Sequence, residues 1–212
     1  MSVLAVLEQR AGVWHRMSWE TLAAAQQFGA ELGQPVSAAV VGGDVSALAG
    51  ELAGKQLERA YAVEHELLKD YTPDGYTAAL RQLIAAAKPR LILFPHTYQV
   101  RDFAPKLATS LERVMVSDVV AHRVESGELT LVRQLFQGKM NVDVRFAGEP
   151  PFFASVQAGA YRADKVAAGS AAVEKFTPDL SASAIRTKPR ELFRESQRAV
   201  ERSEERRVGK EC

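Results

Sequence analysis

Arg90-Leu-Ile-Leu-Phe-Pro-His-Thr-Tyr-Gln-Val-Arg-Asp-Phe-Ala-Pro-Lys-Leu-Ala-Thr-Ser-Leu-Glu112 is the stretch that decides the fold, because its character changes abruptly in the middle. Leu91–Phe94 is an unbroken apolar run, which is typical of a strand buried on both faces of a parallel sheet. Pro95 ends that strand, since proline cannot donate to a ladder. A polar loop follows, and helical spacing then predicts a helix from about residue 101 to 112, with Pro105 in its first turn.

This strand-loop-helix unit places the loop His96–Asp102 at the carboxyl end of a parallel strand, where ligands and partners meet open sheets. A functional site is therefore expected here first. His96 has no Ser, Cys or carboxylate in a recognisable triad order, so we expect it to make hydrogen bonds that order the loop. Arg101 and Asp102 stand together at a helix start. Their position favours capping by Asp102 and a salt link or loop contact by Arg101 over catalysis.

The preceding part of the chain repeats the same strand-then-helix pattern. The predicted strands are Val3–Leu7, Val36–Val41 and Arg59–Val63, and the predicted helices are Ser18–Leu32, a short one from Gly42–Asp44 toward Leu52, and one from Thr72 or Asp74 to the residue before Pro89. In the first helix, Ser18 is the predicted N-cap and Gly33 follows the last turn. Four such units with short connections predict a right-handed, doubly wound sheet.

From Val114 onward the pattern changes to short β-rich runs separated by turn residues. These runs are Met115–Val124, Glu128–Phe136, Lys139–Phe146 and Pro151–Val156. The third run alternates apolar and polar side chains, which indicates a strand with one wet face. The predicted fold class is therefore α/β, with a doubly wound, mainly parallel Rossmann-like sheet and an antiparallel β extension at its edge.

Composition excludes several classes of function. The 212 residues contain 27 Lys and Arg against 26 Asp and Glu, so charge gives no reason to expect binding to nucleic acid. The single cysteine, Cys212, excludes an intrachain disulfide and a cysteine-based metal cluster. The apolar run Val3–Leu7 is followed at once by Glu8 and is too short for a signal or a membrane span. These features predict a cytoplasmic, bacterial protein without membrane insertion.

The run Val41-Gly-Gly-Asp-Val-Ser46 has two interpretations. It could cradle a phosphate at a helix N-terminus, as in a nucleotide-binding or nucleotide-hydrolysing α/β protein. It follows the second strand, however, and it has no serine before the glycines. Asp44 and Ser46 are also placed as ordinary helix caps, so the sequence favours a turn with a cap.

The remaining charged and histidine residues predict no further site. His15, His65 and His122 share no metal-ligand spacing, so a zinc site is not expected. Five arginines near the carboxyl terminus recur every four residues, interleaved with glutamates: Arg190, Arg194, Arg198, Arg202 and Arg206. Pairing of opposite charges four residues apart is the commoner meaning of such a pattern, which predicts a solvated helix.

Four motifs, in this order and spacing, resemble the N-terminal domain of the electron-transfer flavoprotein α subunit. They are Leu93-Phe-Pro-His-Thr-x-x-x-Arg101-Asp102-x-Ala-Pro105-x-Leu-Ala, Val116-Ser-Asp-Val, Arg133-x-x-x-x-Gly138, and Phe153-Ala-Ser-Val-Gln-Ala-Gly-Ala-Tyr161. The resemblance covers about residues 1–165. It departs from the family where small, glycine-rich loops are usual, since this chain has Tyr98, Gln99, Val100, Gln137 and Lys139 there.

The resemblance implies a division of the chain. Residues 1–165 correspond to the N-terminal α/β domain, and residues 166–201 to a linker toward a C-terminal FAD domain. That domain, whose glycine-rich turn holds most of the FAD in the family, is expected to be missing. Residues 202–212 are expected to be a non-native tail, and the chain to be a fragment that is inactive alone.

The resemblance also implies a function. The chain would be a non-catalytic scaffold in a heterodimer with a β subunit, which can hold AMP. The complete protein would carry electrons from flavin dehydrogenases, for example the acyl-CoA dehydrogenases of fatty acid β-oxidation, to a quinone oxidoreductase. No catalytic, cofactor-binding or metal-binding residue is predicted in this chain. Residues 115–160 are expected either to contact the β subunit or to pack on the protein's own helices.

Overall fold

The strand Leu91–Pro95 is buried along its whole length, and it lies inside a nine-stranded sheet. The computed structural model describes residues 2–188. In chain order, the elements are β1 (Val3–Leu7), β2 (Gln9–Arg10), β3 (Val13–Trp14), α1 (Arg16–Leu32), β4 (Val36–Gly42), α2 (Ser46–Ala53), β5 (Arg59–Glu64), α3 (Pro73–Ala87), β6 (Leu91–Pro95), α4 (Tyr98–Ser110), β7 (Met115–Glu125), β8 (Glu128–Leu135), β9 (Met140–Val144), β10 (Phe152–Val156) and β11 (Ala172–Phe176).

The strand order in the large sheet is β11-β5-β4-β1-β6-β10-β7-β8-β9. All pairs from β11 to β7 are parallel, whereas β7, β8 and β9 pair antiparallel. The chain builds outward from β1 through β4 to β5, and it then returns to the other side of β1 to place β6. The order therefore reverses between β1 and β6. The predicted α/β class, with its parallel sheet and antiparallel extension, is confirmed. The run Pro151–Val156, however, was wrongly placed in the antiparallel extension, because it forms β10 and pairs in parallel with β6 and β7.

The two faces of the sheet bury separate cores. Strand β6 supplies Leu91 and Leu93 to the core under α1 and α2, and it supplies Ile92 and Phe94 to the core under α3 and α4. This alternation follows from the two-residue period of a strand. It explains why Leu91–Phe94 is apolar without interruption, as the sequence predicts for a strand covered on both sides.

The antiparallel extension folds back over the α1 face. Asp118 has a left-handed backbone (φ 62°), and the pairing of β7 with β10 is irregular at this point. Beyond Asp118, the ring centroids of His122 and of Phe28 in α1 lie 3.9 Å apart. Strand β8 then returns and pairs Arg133 with Val119, which lies beside the carboxyl end of β10. The β8–β9 hairpin tip, residues 136–139, therefore projects beyond the carboxyl edge of the sheet.

Helix α1 begins earlier than predicted. Its N-cap is His15, whose Nδ1 accepts from the backbone N–H of Met17 at 3.3 Å. Ser18, the predicted cap, is instead buried, and its hydroxyl donates to the Glu8 carbonyl at 2.7 Å and accepts from the Glu8 N–H at 3.0 Å. The error arose because serine caps helices more often than histidine does. Gly33 closes the helix with a left-handed backbone, as predicted.

Helix α4 also begins earlier than predicted, at Tyr98. Thr97 is its N-cap and accepts from the N–H of Val100 at 3.2 Å. Pro105 consequently lies inside the helix and not in its first turn. The prediction was wrong because residues 98–102, taken for a loop, form the first turn of the helix, in which Val100 is buried and the exposed positions Tyr98, Arg101 and Asp102 face solvent. Thr109 donates its hydroxyl to the Pro105 carbonyl at 2.9 Å, so this carbonyl has a partner.

Residues 172–176, within the predicted linker that begins at residue 166, form β11 and pair in parallel with β5. Farther on, Gln82 and Asp179 exchange two hydrogen bonds of 2.8 Å. Asp74 accepts from the backbone N–H groups of Arg186 and Thr187 at 2.9 and 3.3 Å. The chain is thus fastened along α3 as far as Thr187. The predicted tail, residues 202–212, and the arginine stripe lie outside the described residues, and the division into domains stays a prediction.

Candidate functional site

A crevice opens at the carboxyl edge where the strand order reverses. Its cavity of about 420 Å³ is lined by Arg10, His15, Arg16, Met17, His96, Thr97, Tyr98 and Arg101. These residues follow β1 or β6, or they begin α1 or α4. A doubly wound sheet binds its ligands at such a switch point. The structure therefore brings the loop singled out in the sequence together with a second segment, residues 10–17, which the sequence did not indicate.

His96 makes the ordering hydrogen bonds predicted for it. Its Nδ1 lies 2.9 Å from the Ser155 hydroxyl, which also accepts from the Asp118 N–H at 3.1 Å. Its Nε2 lies 3.8 Å from a carboxylate oxygen of Asp118. Burial lowers the pKa of His96; the Asp118 charge opposes this effect, and Arg101 and Arg133 add to it.

A Ser-His-Asp grouping thus exists in space, although the sequence showed no triad order. Ser155 has no exposed surface, so a substrate cannot reach its hydroxyl. The grouping therefore ties the ends of β6, β7 and β10 together and does not supply a nucleophile. Ser155 and Asp118 stand in two of the motifs that carry the family resemblance. Their place in these motifs was the signal that could have revealed them.

Glu8 links the two sides of the switch point. Its carboxylate is buried, and it accepts from the Thr97 hydroxyl and from Arg10, whose Nε and Nη2 lie 3.0 and 2.9 Å from one oxygen. The cap of α4 is thereby bonded to the end of β1. Glu8 is therefore part of the site, although in the sequence it is only the residue that ends an apolar run.

Arg101 and Asp102 do not play the predicted roles in full. Asp102 is not a cap, because Thr97 holds that position; it accepts from the Tyr71 hydroxyl at 2.7 Å. Arg101 makes its contact inside α4, with its guanidinium carbon 5.7 Å from the centroid of the Tyr98 ring one turn earlier. Among the described residues it forms no ion pair. Arg101 thus contacts a residue of the predicted loop, but this residue belongs to α4 itself, and the cap predicted for Asp102 is wrong.

The glycine run before α2 presents its helix N-terminus to a carboxylate of the protein itself. Glu64 accepts from the Val45 N–H at 2.9 Å and from the Ser46 hydroxyl at 2.7 Å, and Lys175 lies 2.7 Å from its other oxygen. The carboxylate lies where a phosphate would bind such a helix. This arrangement favours the turn-with-cap interpretation. Of the predicted caps, Asp44 accepts from the Ser46 N–H at 3.4 Å, but Val45 occupies the N-cap position and the shorter bonds go to Glu64.

The other histidines have structural partners. His15 and His65 each use Nδ1 to accept a backbone N–H at a helix start. His122 lies between Tyr161, 2.8 Å from Nδ1, and Glu31, 3.3 Å from Nε2. Burial lowers the pKa of His122 against the opposing effect of Glu31. In the part of the chain that the structure describes, no three His, Cys, Asp or Glu side chains are grouped to hold a metal ion.

The fold and the crevice define a class: a doubly wound α/β domain whose functional edge lies at the switch point between β1 and β6. The electron transfer flavoprotein domain model matches residues 3–181, and the chain belongs to this family. Proteins of the family are flavoproteins that carry electrons and are not enzymes. No helix within residues 2–188 has the length and apolar character needed to cross a membrane.

Curated relatives agree with the family. The chain is 35% identical to the electron transfer flavoprotein subunit alpha of Syntrophomonas wolfei over 68% of its length and 44% of the relative. It is 30% identical to the same subunit of Thermoanaerobacterium thermosaccharolyticum over 91% of the chain and 59% of the relative. Protein FixB of Azotobacter vinelandii is 30% identical over 63% of the chain and 39% of the relative. The chain spans about half the length of these relatives.

The described residues do not fit a dinucleotide such as FAD. A dinucleotide-binding turn needs glycines directly between the first strand and its helix, so that the pyrophosphate can approach the backbone. Here β1 is followed by Glu8, and the β2–β3 hairpin separates it from α1. The N-terminus of α2 is bonded to Glu64. Residues 2–188 therefore offer no FAD-binding turn of this kind at either helix.

Proposed function

We propose that this chain is the α-type subunit of an electron transfer flavoprotein and acts as its scaffold and partner-binding part. The family match over residues 3–181 carries the proposal. The relatives named subunit alpha support it. In this proposal the subunit pairs with a β subunit, which can hold AMP, and FAD binds mainly to residues outside 2–188. The assembled protein passes electrons in the bacterial cytoplasm from flavin dehydrogenases, such as acyl-CoA dehydrogenases, to a quinone oxidoreductase.

The β8–β9 hairpin tip is the proposed contact with the β subunit. Phe136 is 72% exposed and Met140 is 51% exposed, and both belong to this projecting hairpin. Large apolar side chains in neighbouring positions at a surface are typical of protein-protein contacts. Phe146 differs, because its ring stacks on Phe152 with centroids 4.6 Å apart. Phe146 thus packs on the protein itself, and the proposal is confined to residues 136–140.

Co-expression with a β subunit tests this function. We expect a stable heterodimer in which backbone hydrogen exchange slows in residues 128–146. The double variant Phe136→Glu and Met140→Glu should weaken the heterodimer by at least about tenfold, because it places two charges in an apolar contact. Val173→Glu is the matched control, since Val173 is 48% exposed on β11, at the opposite edge of the sheet.

Two failures have different meanings. If a heterodimer forms with unchanged exchange in residues 128–146 and unchanged affinity in the double variant, the interface lies elsewhere on the domain. If no heterodimer forms with any β subunit encoded beside the gene, the subunit role itself is wrong. The second outcome would leave the family assignment intact, since that rests on the sequence match.

A further inference from the structure

The crevice at the switch point has an excess of positive charge. Arg10 is neutralised by Glu8. Arg16 and Arg101 line the same cavity, and within residues 2–188 neither forms an ion pair. The nearby carboxylate of Asp102 accepts from Tyr71, and Asp118 lies beside His96. Two arginines thus line one cavity whose lining includes no carboxylate.

The side chain of Arg101 lines the cavity and has a partner that restrains it. It stacks on Tyr98, whose own side chain is 85% exposed at the first position of α4. Such stacking restricts the guanidinium and leaves its N–H groups available for an anion. Arg16 occupies the first position of α1, on the other side of the crevice. The two helix ends add only a fraction of a charge each, so the guanidinium groups dominate the field.

Helix α2 provides a comparison within the same molecule. There the protein supplies its own anion, the buried carboxylate of Glu64, which accepts from the first turn of the helix. No carboxylate lines the cavity between α1 and α4. At the start of α2, the protein thus neutralises the positive end of the helix with its own carboxylate. At the cavity between α1 and α4, the positive charge of the arginines is left for a ligand.

We propose that this crevice binds the phosphate group of a small anionic ligand between the guanidinium groups of Arg16 and Arg101. Arginine suits phosphate because its planar N–H groups can bond two oxygens at once. A cavity of about 420 Å³ lies in the range of small-ligand sites. The site goes beyond the electron-carrier role proposed above, since neither its location nor its residues are those expected to hold FAD.

Isothermal titration calorimetry of the 212-residue chain with inorganic phosphate and with pyrophosphate, at constant ionic strength, tests this site. We expect saturable binding of one anion per chain, with pyrophosphate tighter than phosphate. Arg16→Gln and Arg101→Gln should each weaken pyrophosphate binding by about tenfold or more, because each removes a charge-assisted hydrogen bond. Arg16→Lys keeps the charge and should lose less than Arg16→Gln.

Arg81→Gln is the matched control, because Arg81 is an exposed arginine of α3 far from the crevice and the change in net charge is the same. Pyrophosphate affinity should stay within about twofold in this variant. Equal weakening by Arg81→Gln would show that net charge alone attracts the anion, and would overturn the site. Absence of saturation below about 10 mM would also overturn it. Neither result would affect the heterodimer test, which rests on Phe136 and Met140.

Discussion

Glu64 is a single residue whose protonation should control part of the domain's stability. Burial alone would raise the pKa of Glu64, but hydrogen bonds from Lys175, Ser46 and the Val45 N–H outweigh it and lower the pKa to about 2. A lowered pKa means that the folded state holds the proton less tightly than the unfolded chain does. The resulting stabilisation is present above about pH 4.5 and is lost as the pH falls toward 2.

Glu64→Gln should therefore destabilise the domain at neutral pH, by an amount on the order of 3 kcal/mol. The difference in unfolding free energy between wild type and variant should shrink as the pH falls from 5 to about 2. Urea unfolding followed by circular dichroism at several pH values measures it. Glu66→Gln is the control, because Glu66 is exposed on the neighbouring turn. A wild-type-to-variant difference that does not depend on pH would contradict the assigned role of the carboxylate.

Residues whose partners lie far away in the sequence mark the limit of what the sequence could predict about the site. His96 was predicted to order its loop, because the sequence shows no Ser, Cys or carboxylate in a recognisable triad order with it. Its partners Ser155 and Asp118 are 59 and 22 positions away along the chain, and only the strand order brings β10 and β7 beside β6. The same is true of Glu8 and Thr97. Pairings that depend on tertiary structure leave no local periodicity to detect.

At the scale of elements, the most reliable predictions were those with strong periodicity. Strand β1 was predicted with its observed bounds, and β6 to within a residue, because apolar runs buried on both faces are unmistakable. The starts of α1 and α4 were wrong by two or three residues, because capping by His15 and Thr97 is local chemistry with weak sequence preference. Strand β11 was missed, since its mixture of charged and apolar residues at a sheet edge resembles a linker.

Ile92→Asp tests the central position of β6. Ile92 has no exposed surface and packs in the core between the sheet and α3 and α4. An unpaired charge there costs several kcal/mol, which is comparable to the whole stability of a domain, so the variant should not fold. Val114→Asp introduces the same side chain at a position that is 72% exposed, and it should melt close to the wild type.

Circular dichroism melts of Ile92→Asp and Val114→Asp test whether β6 is buried on both faces. Cooperative unfolding of Ile92→Asp near the wild-type temperature would contradict the burial of β6 on both faces. Val114 is a suitable control, because its exposure is known.

At the scale of the whole molecule, the described residues form a scaffold without a flavin-binding turn. We therefore expect the 212-residue chain to purify colourless. After incubation with excess FAD and desalting, absorption spectroscopy should show no stoichiometric flavin band. The physical reason is that no glycine turn leads directly from β1 into α1, and that the α2 start, although Gly42 and Gly43 precede it, is already bonded to Glu64. A yellow protein with one FAD per chain would contradict this prediction.

The position of β10 in the sheet has a consequence for folding during synthesis. It lies between β6 and β7, both of which precede it in the chain. While the polypeptide is being synthesised, those two strands leave the ribosome first and have no direct ladder to each other, so the slot between them stays open until residues 152–156 emerge. Open strand edges are templates for aggregation. A ribosome that stalls before residue 152 would thus release a chain with two unpaired edges at the middle of its sheet, where a nascent-chain chaperone would be needed most.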